Sequence, residues 1–131
     1  MVPRSGKILV IDDSKTNVVL LEAILNTRGY STIKAFNVKE ANSIIEKEKP
    51  DLILLDLLMP EINGFDFLSM IKSKNDTKNI PVIVVSAVTD EENISRSMAL
   101  GAIDFITKPI DIQLLVEKVE EFIDHEIRDS L

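Results

Sequence analysis

The chain has 131 residues, 45% hydrophobic and 28% charged, with 22 acidic against 15 basic side chains and a net charge of −7. That length suits one domain with its own core, and the acidic surplus argues against a surface built to grip nucleic-acid phosphates. Cysteine is absent, which excludes disulfides and thiolate metal sites, and no apolar run reaches the roughly 18 residues of a membrane span.

Residues 1–6 are too short and polar for a signal peptide. They read as a tail outside the fold, a cloning remnant being one source. Residues 128–131 read as a C-terminal tail, which leaves 7–127 as a single domain. Lys7–Ile11 reads as a first strand ending in Asp12 and Asp13. Ser14 can cap the helix that follows, whose apolar stripe is Val18, Leu21 and Leu25 and whose stop is Gly29. Ser31–Phe36 alternates as a second strand. Asn37 with Glu40 three residues on starts a helix to about Glu48 in the manner of a capping box.

Asp51–Asp56 is the third strand, a short unbroken apolar run of the kind buried on both faces of a parallel sheet. Asn63 can cap a third helix bearing Phe65, Leu68 and Ile71. Ile80–Ser86 is the fourth strand, with Pro81 tolerated near its beginning. Asp90 opens a helix to about Leu100, ended by Gly101. Ala102–Thr107 is the fifth strand. Asp111 caps a last helix whose stripe is Ile112, Leu115, Val119, Phe122 and Ile127. Strict alternation of strands and helices implies an α/β fold with a parallel sheet covered on both faces. Right-handed crossovers then bring all the strand C-termini to one edge.

That edge collects Asp12 and Asp13 after the first strand, Asp56 after the third, Ser86 after the fourth and Lys108 after the fifth. An unpaired carboxylate inside an apolar strand is very costly, so Asp56 belongs at the strand tip, where open α/β sheets bind ligands. Three carboxylates and one lysine leave about two uncompensated negative charges if all are ionised and adjacent. A divalent cation balances that count, and hard oxygen ligands suit Mg²⁺, with Mn²⁺ as an alternative. Beside the metal, Lys108 and Ser86 could hold phosphoryl oxygens while Asp56 acts as a carboxylate nucleophile.

Each residue also has a plainer role. Asp56 could cap the loop to Pro60, Asp12 and Asp13 could serve the positive end of the first helix, and Ser86 could be an ordinary strand-end serine. Lys108 could be a surface lysine before a proline turn, and Phe105 plain core. His125, the lone histidine, reads as a surface residue near the end of the last helix. Asp66 and Asp104 read as solvated. Ile94, Met98, Ile110 and Leu114 stay open between core and partner surface.

The pair Asp12-Asp13 after "KILVI", then "LLDLLMPEINGF", "VIVVSA" and "GAIDFITKPI" resemble, in order and spacing, the receiver (response-regulator) domain of two-component signalling, as in the chemotaxis response regulators. The resemblance runs from about Lys7 to Ile123. It implies a flavodoxin-like, doubly wound sheet of five parallel strands in the order 2-1-3-4-5 with five helices. Asp56 would be the phosphoacceptor, fed by a phosphohistidine of a partner kinase or phosphotransfer protein, or by a small acyl phosphate. Asp12, Asp13, Asp56 and the main-chain carbonyl of Leu58 would hold the metal. Ser86 would supply the switch hydroxyl, Lys108 the phosphoryl-binding lysine ahead of a cis peptide to Pro109, and Phe105 the switch aromatic. Drawing Ser86 inward would shift Ala87-Val88-Thr89 and reshape the face of the fourth helix, fifth strand and fifth helix.

The resemblance further implies a cytoplasmic, phosphorylation-activated switch. It would read out to an effector or output domain, or through a phosphorylation-dependent homodimer, with no direct contact to nucleic acid or membrane. It would act only on itself, by self-phosphorylation and self-dephosphorylation, rather than as an enzyme. Leu58 and Val88, two residues beyond Asp56 and Ser86, are both apolar and should slow hydrolysis. Two other readings compete. An aspartate-nucleophile phosphatase of the haloacid-dehalogenase type wants a second acid where this chain has Leu58, and the chain lacks length for a cap domain. A phosphorylation-independent scaffold has no need of five competent site residues.

Overall fold

The computed structural model describes residues 6–59, 63–87 and 90–129, with 124–129 as backbone only. Strands and helices alternate throughout: β1 (Lys7–Ile11), α1 (Lys15–Thr27), β2 (Ser31–Ala35), α2 (Val38–Glu48), β3 (Leu52–Leu55), α3 (Gly64–Ser73), β4 (Val82–Ser86), α4 (Glu91–Ala99), β5 (Asp104–Thr107) and α5 (Ile112–Asp129). The strands form one sheet in the order β2-β1-β3-β4-β5, and every pairing is parallel. This is the expected doubly wound α/β arrangement.

Side chains on a strand alternate between faces, and the apolar strands divide accordingly into two cores. Leu9, Ile11, Ile53, Leu55, Val82 and Val84 point to the face covered by α2 and α3, where they meet Ala41, Ile45, Leu68 and Ile71. Ile8, Val10, Leu52, Leu54, Ile83 and Val85 point the other way, against Val18, Leu21 and Leu25 of α1 and Leu115, Val119 and Ile123 of α5. The central strands β3 and β4 are buried at every residue, whereas β2 and β5 carry exposed positions, as edges do. A continuous apolar run therefore reads as a central strand because it has two faces to bury.

The anticipated caps form. Side-chain oxygens of Ser14, Asn37, Asn63, Asp90 and Asp111 accept backbone N–H groups of Asn17, Glu40, Phe65, Asn93 and Leu114. The Glu40 carboxylate reaches the N–H of Phe36, one residue before the cap, rather than that of Asn37. β2 ends at Ala35, one residue earlier than the pattern suggests. Gly29 and Gly101 follow α1 and α4 with φ of 89° and 111°, where a side chain would be strained.

Besides the end of β2, four strand boundaries and one stripe residue differ from the sequence pattern. Ala102 donates its N–H to the Ser97 carbonyl and so closes α4 instead of opening β5. Ile80 donates to Thr77 in a turn, so β4 starts at Val82. Asp51 and Asp56 bracket β3 from outside, bonded to Lys7 and Ile11. Ile112 is 48% exposed rather than part of the buried stripe. It occupies the first helical position of α5, ahead of the turn in which Leu115 first meets the sheet. Ile127 of that stripe lies outside the described side chains.

β1 and β3 are neighbours although β2 separates them in the chain, so the connection from β1 to β2 and that from β3 to β4 run in opposite directions. Such a reversal opens a crevice at the C-terminal edge of the sheet, where ligands of this architecture bind.

Candidate functional site at the sheet edge

Asp12 and Asp13 leave β1, and Asp56 leaves β3, on either side of that crevice. One carboxylate oxygen from each of Asp12, Asp13 and Asp56 lies within 4.8 Å of the others. Asp12 and Asp56 are only 3% and 5% exposed, while Asp13 faces solvent. Lys108, just after β5, places its ammonium 2.9 Å from Asp12 Oδ2 and 3.1 Å from Asp56 Oδ2. The backbone supplies the remaining partners. Asp12 Oδ1 accepts the N–H of Ser14, and Asp56 Oδ1 accepts the N–H of Leu58.

The local chain is folded to make these contacts. Lys108 donates its own N–H to the carbonyl of Ser86, which pins the start of the β5–α5 loop to the end of β4, and the following Lys108–Pro109 peptide is cis. On the other side, the loop after Asp56 is closed by a bridge between Leu58 and Asn63. Gly64 approaches Leu57 so closely that a β-carbon would lie 2.5 Å from the Leu57 Cα. Only glycine permits that contact, and the contact holds Leu58 over Asp56.

The charges are unequal to one another. Burial raises the Asp56 carboxyl above its ordinary range. The Leu58 N–H and the Lys108 charge oppose the rise, and the charge of Asp12 adds to it. Burial works to lower the Lys108 ammonium, but its hydrogen bond to Asp12, together with the charges of Asp56 and Asp12 and its bond to Asp56, leaves it raised. One lysine therefore faces two buried acids and a third nearby.

Ser86 ends β4 with 0% exposure, beside the lysine's backbone. Phe105 pairs with Val84 across β4–β5, and its ring is half-buried against the α2–α3 core. Leu58 is 56% exposed beside Asp56. Val88 and Thr89 lie outside the described residues, as does the side chain of His125. Met98 and Leu114 are exposed, whereas Ile94 is half-buried and Ile110 packs on the α1–α5 core. Asp66 is exposed, but Asp104 is not simply solvated: half-buried, it pairs with Lys118 of α5. An edge strand lying along a helix gives its outward carboxylate a partner that no local pattern announces. The Gly64–Leu57 contact was missed as well, although the Asn63-Gly64 pair carried a turn signal.

A doubly wound parallel domain with an acidic, lysine-bridged crevice at its switch point is the class that fold and site define. A model of the response regulator receiver domain matches residues 8–120, and the chain belongs to that family. It is 36% identical over 117 residues to sporulation initiation phosphotransferase F of Bacillus subtilis, covering 89% of this chain and 93% of that protein. Against the response regulator PleD of Caulobacter vibrioides it is 37% identical over 115 residues, 88% of this chain but 25% of that protein. The receiver domain of a signal transduction histidine kinase from Syntrophus aciditrophicus superimposes with a TM-score of 0.85 at 36% identity, covering 92% of each chain. Among the described residues, no helix is long and apolar enough to cross a membrane.

The raised Asp56 carboxyl has a consequence for stability. Where its folded value lies above the unfolded one, the folded chain holds more protons, so stability falls as pH rises from about 3.8 through the folded value. In metal-free urea denaturation, wild type should lose stability across that window and Asp56→Asn should not. Parallel pH profiles for the two proteins would refute the burial argument.

Proposed function

We propose that Asp56 accepts a phosphoryl group and that the domain is a phosphorylation-activated switch. The supporting observation is the single ammonium of Lys108 shared between Asp12 and Asp56 at the sheet edge, with Asp13 close by. The donor is a phosphohistidine on a histidine kinase or phosphotransfer protein, or a small acyl phosphate. The chain acts as a cytoplasmic signalling module over residues 7–127, to which the fold adds Gly6, buried and accepting the Ser31 N–H, and the continuation of α5 to Asp129; its chemistry is confined to its own aspartate.

The donor set of hard oxygens, without nitrogen or sulfur, fits Mg²⁺, or Mn²⁺ in its place. Asp12, Asp13, Asp56 and the carbonyl of Leu58 would hold it. When bound, the metal supplies positive charge against phosphoryl oxygens. An Asp56 carboxylate oxygen forms the new P–O bond as the bond between phosphorus and the donor's leaving nitrogen or oxygen breaks. Lys108, already aimed into the crevice, turns its ammonium to a phosphoryl oxygen. The Ser86 hydroxyl donates to another. Because Ser86 and Phe105 lie on paired strands, movement of Ser86 gives the Phe105 ring room to turn inward. The face of α4, β5 and α5 then changes for its reader, an effector, an output domain or a second copy of the chain.

Phosphorylation shifts this equilibrium by its differential stabilisation of the active arrangement. The phosphatase alternative is disfavoured by Leu58, apolar and exposed where that class carries an acid.

With acetyl phosphate and Mg²⁺, intact-mass analysis should find one added phosphoryl group on wild type and none on Asp56→Asn. Lys108→Ala should slow the reaction by about 100-fold, the scale of losing one preorganised donor. Full labelling of Asp56→Asn would overturn the assignment. Leu58→Asn should shorten the phosphoryl half-life, because a polar side chain then reaches the path of hydrolytic water; a longer half-life would contradict this.

A further inference from the structure

Helix α4 has an unusually slight hold on the fold. Ser97 is its only buried residue, and that hydroxyl donates to Asn93 within the same helix. Ile94 is half-buried, and Met98 and Ala99 are exposed. An element with so little buried apolar surface shifts at low cost. A directed contact nevertheless ties it to a neighbouring helix: the Arg96 guanidinium carbon lies 4.2 Å from the centroid of the Phe65 ring.

Phe65 is the second residue of α3 and is buried. Its N–H is held by Asn63, the residue that bridges to Leu58. The preceding Gly64 sits directly on the backbone of Leu57 and donates its N–H to the Leu57 carbonyl. Leu57 immediately follows Asp56. An unbroken series of contacts therefore runs from the Asp56 carboxylate through the Leu58 N–H, the Leu58–Asn63 bridge and Phe65 to Arg96, with Gly64 packed on Leu57 beside it, and it bypasses β4 and β5.

We propose that the Arg96–Phe65 pair is a tether holding α4 in the arrangement that belongs to unphosphorylated Asp56, which gives the site a second line to α4. This inference rests on the phosphoacceptor reading. The tether occurs together with the Lys108 bridge between Asp12 and Asp56, the pairing that a phosphoryl group would break. Movement of Leu58 and its partner Asn63 carries the Phe65 ring with it, and attraction between a cation and a ring is significant only within about 6 Å of the centroid. By reciprocity, a contact favoured in one arrangement opposes any ligand that favours the other.

Arg96→Met keeps an apolar stem and removes the charge. Titration of the wild-type and variant proteins with beryllofluoride in the presence of Mg²⁺, followed by amide spectra, measures affinity for a phosphoryl mimic. The variant should bind about two- to fivefold more tightly, the shift a partly exposed cation–ring contact can supply. Arg96→Lys should restore wild-type affinity, and Arg96→Met should add nothing in a Phe65→Leu background. Unchanged affinity with lowered thermal stability would make the contact merely structural and overturn the tether. Weaker binding by the variant would assign the contact to the phosphorylated arrangement and overturn it equally. Failure of the wild-type protein to bind beryllofluoride would instead overturn the phosphoacceptor reading, and the tether with it.

Discussion

One ammonium facing two buried carboxylates organises this molecule. Lys108 reaches both Asp12 and Asp56, while Asp13 stands within the same small cluster. Charges this close interact strongly where burial lowers the effective dielectric. If all three acids are ionised, the described side chains leave a local negative surplus, with one ammonium against three carboxylates. The backbone limits the damage by donating N–H groups from Ser14 and Leu58. Each oxygen of the two buried carboxylates therefore has a partner, a backbone N–H on one and the shared ammonium on the other, as a buried charge requires. The cluster lies at the edge of a doubly wound sheet where ligands of this architecture bind.

The rest of the fold holds that cluster in place. Parallel strands with right-handed crossovers deliver every strand's C-terminal end to one edge, and the reversal at β1 and β3 opens the crevice there. The apolar residues of β1, β3 and β4, buried on both faces, keep water from the carboxylates on the sheet side. Two loop closures then set the geometry: the Lys108 N–H bonded to Ser86, and the Gly64 backbone laid on Leu57. Stability and site chemistry are thus properties of the same strands.

Much of this was legible in the sequence because it rests on short-range rules. Alternation of apolar runs with helical stripes marks the ten elements, the caps Ser14, Asn37, Asn63, Asp90 and Asp111 mark the helix starts, and the acidic and basic residues at the strand tips mark the edge. What was not legible depends on tertiary partners. Ile112 carries the right spacing for the core but falls one turn ahead of the sheet. Asp104 finds Lys118 across an edge strand. Arg96 finds Phe65 on another helix, and Gly64 meets Leu57 around a loop. Each of these partners is selected by the packing of separate elements, and local spacing carries no record of it.

The claim that the edge cluster is a charge site completed by a divalent cation is tested most directly by thermal denaturation at neutral pH across a Mg²⁺ titration after chelation. A cation bound only by the folded chain raises its stability with concentration, by about 2.7 kcal/mol at a hundredfold excess over the dissociation constant. The melting temperature of the wild-type protein should rise with Mg²⁺, and the rise should vanish when Asp12 and Asp13 are both changed to Asn. A melting temperature indifferent to Mg²⁺, or an equal rise in the doubly substituted protein, would contradict it.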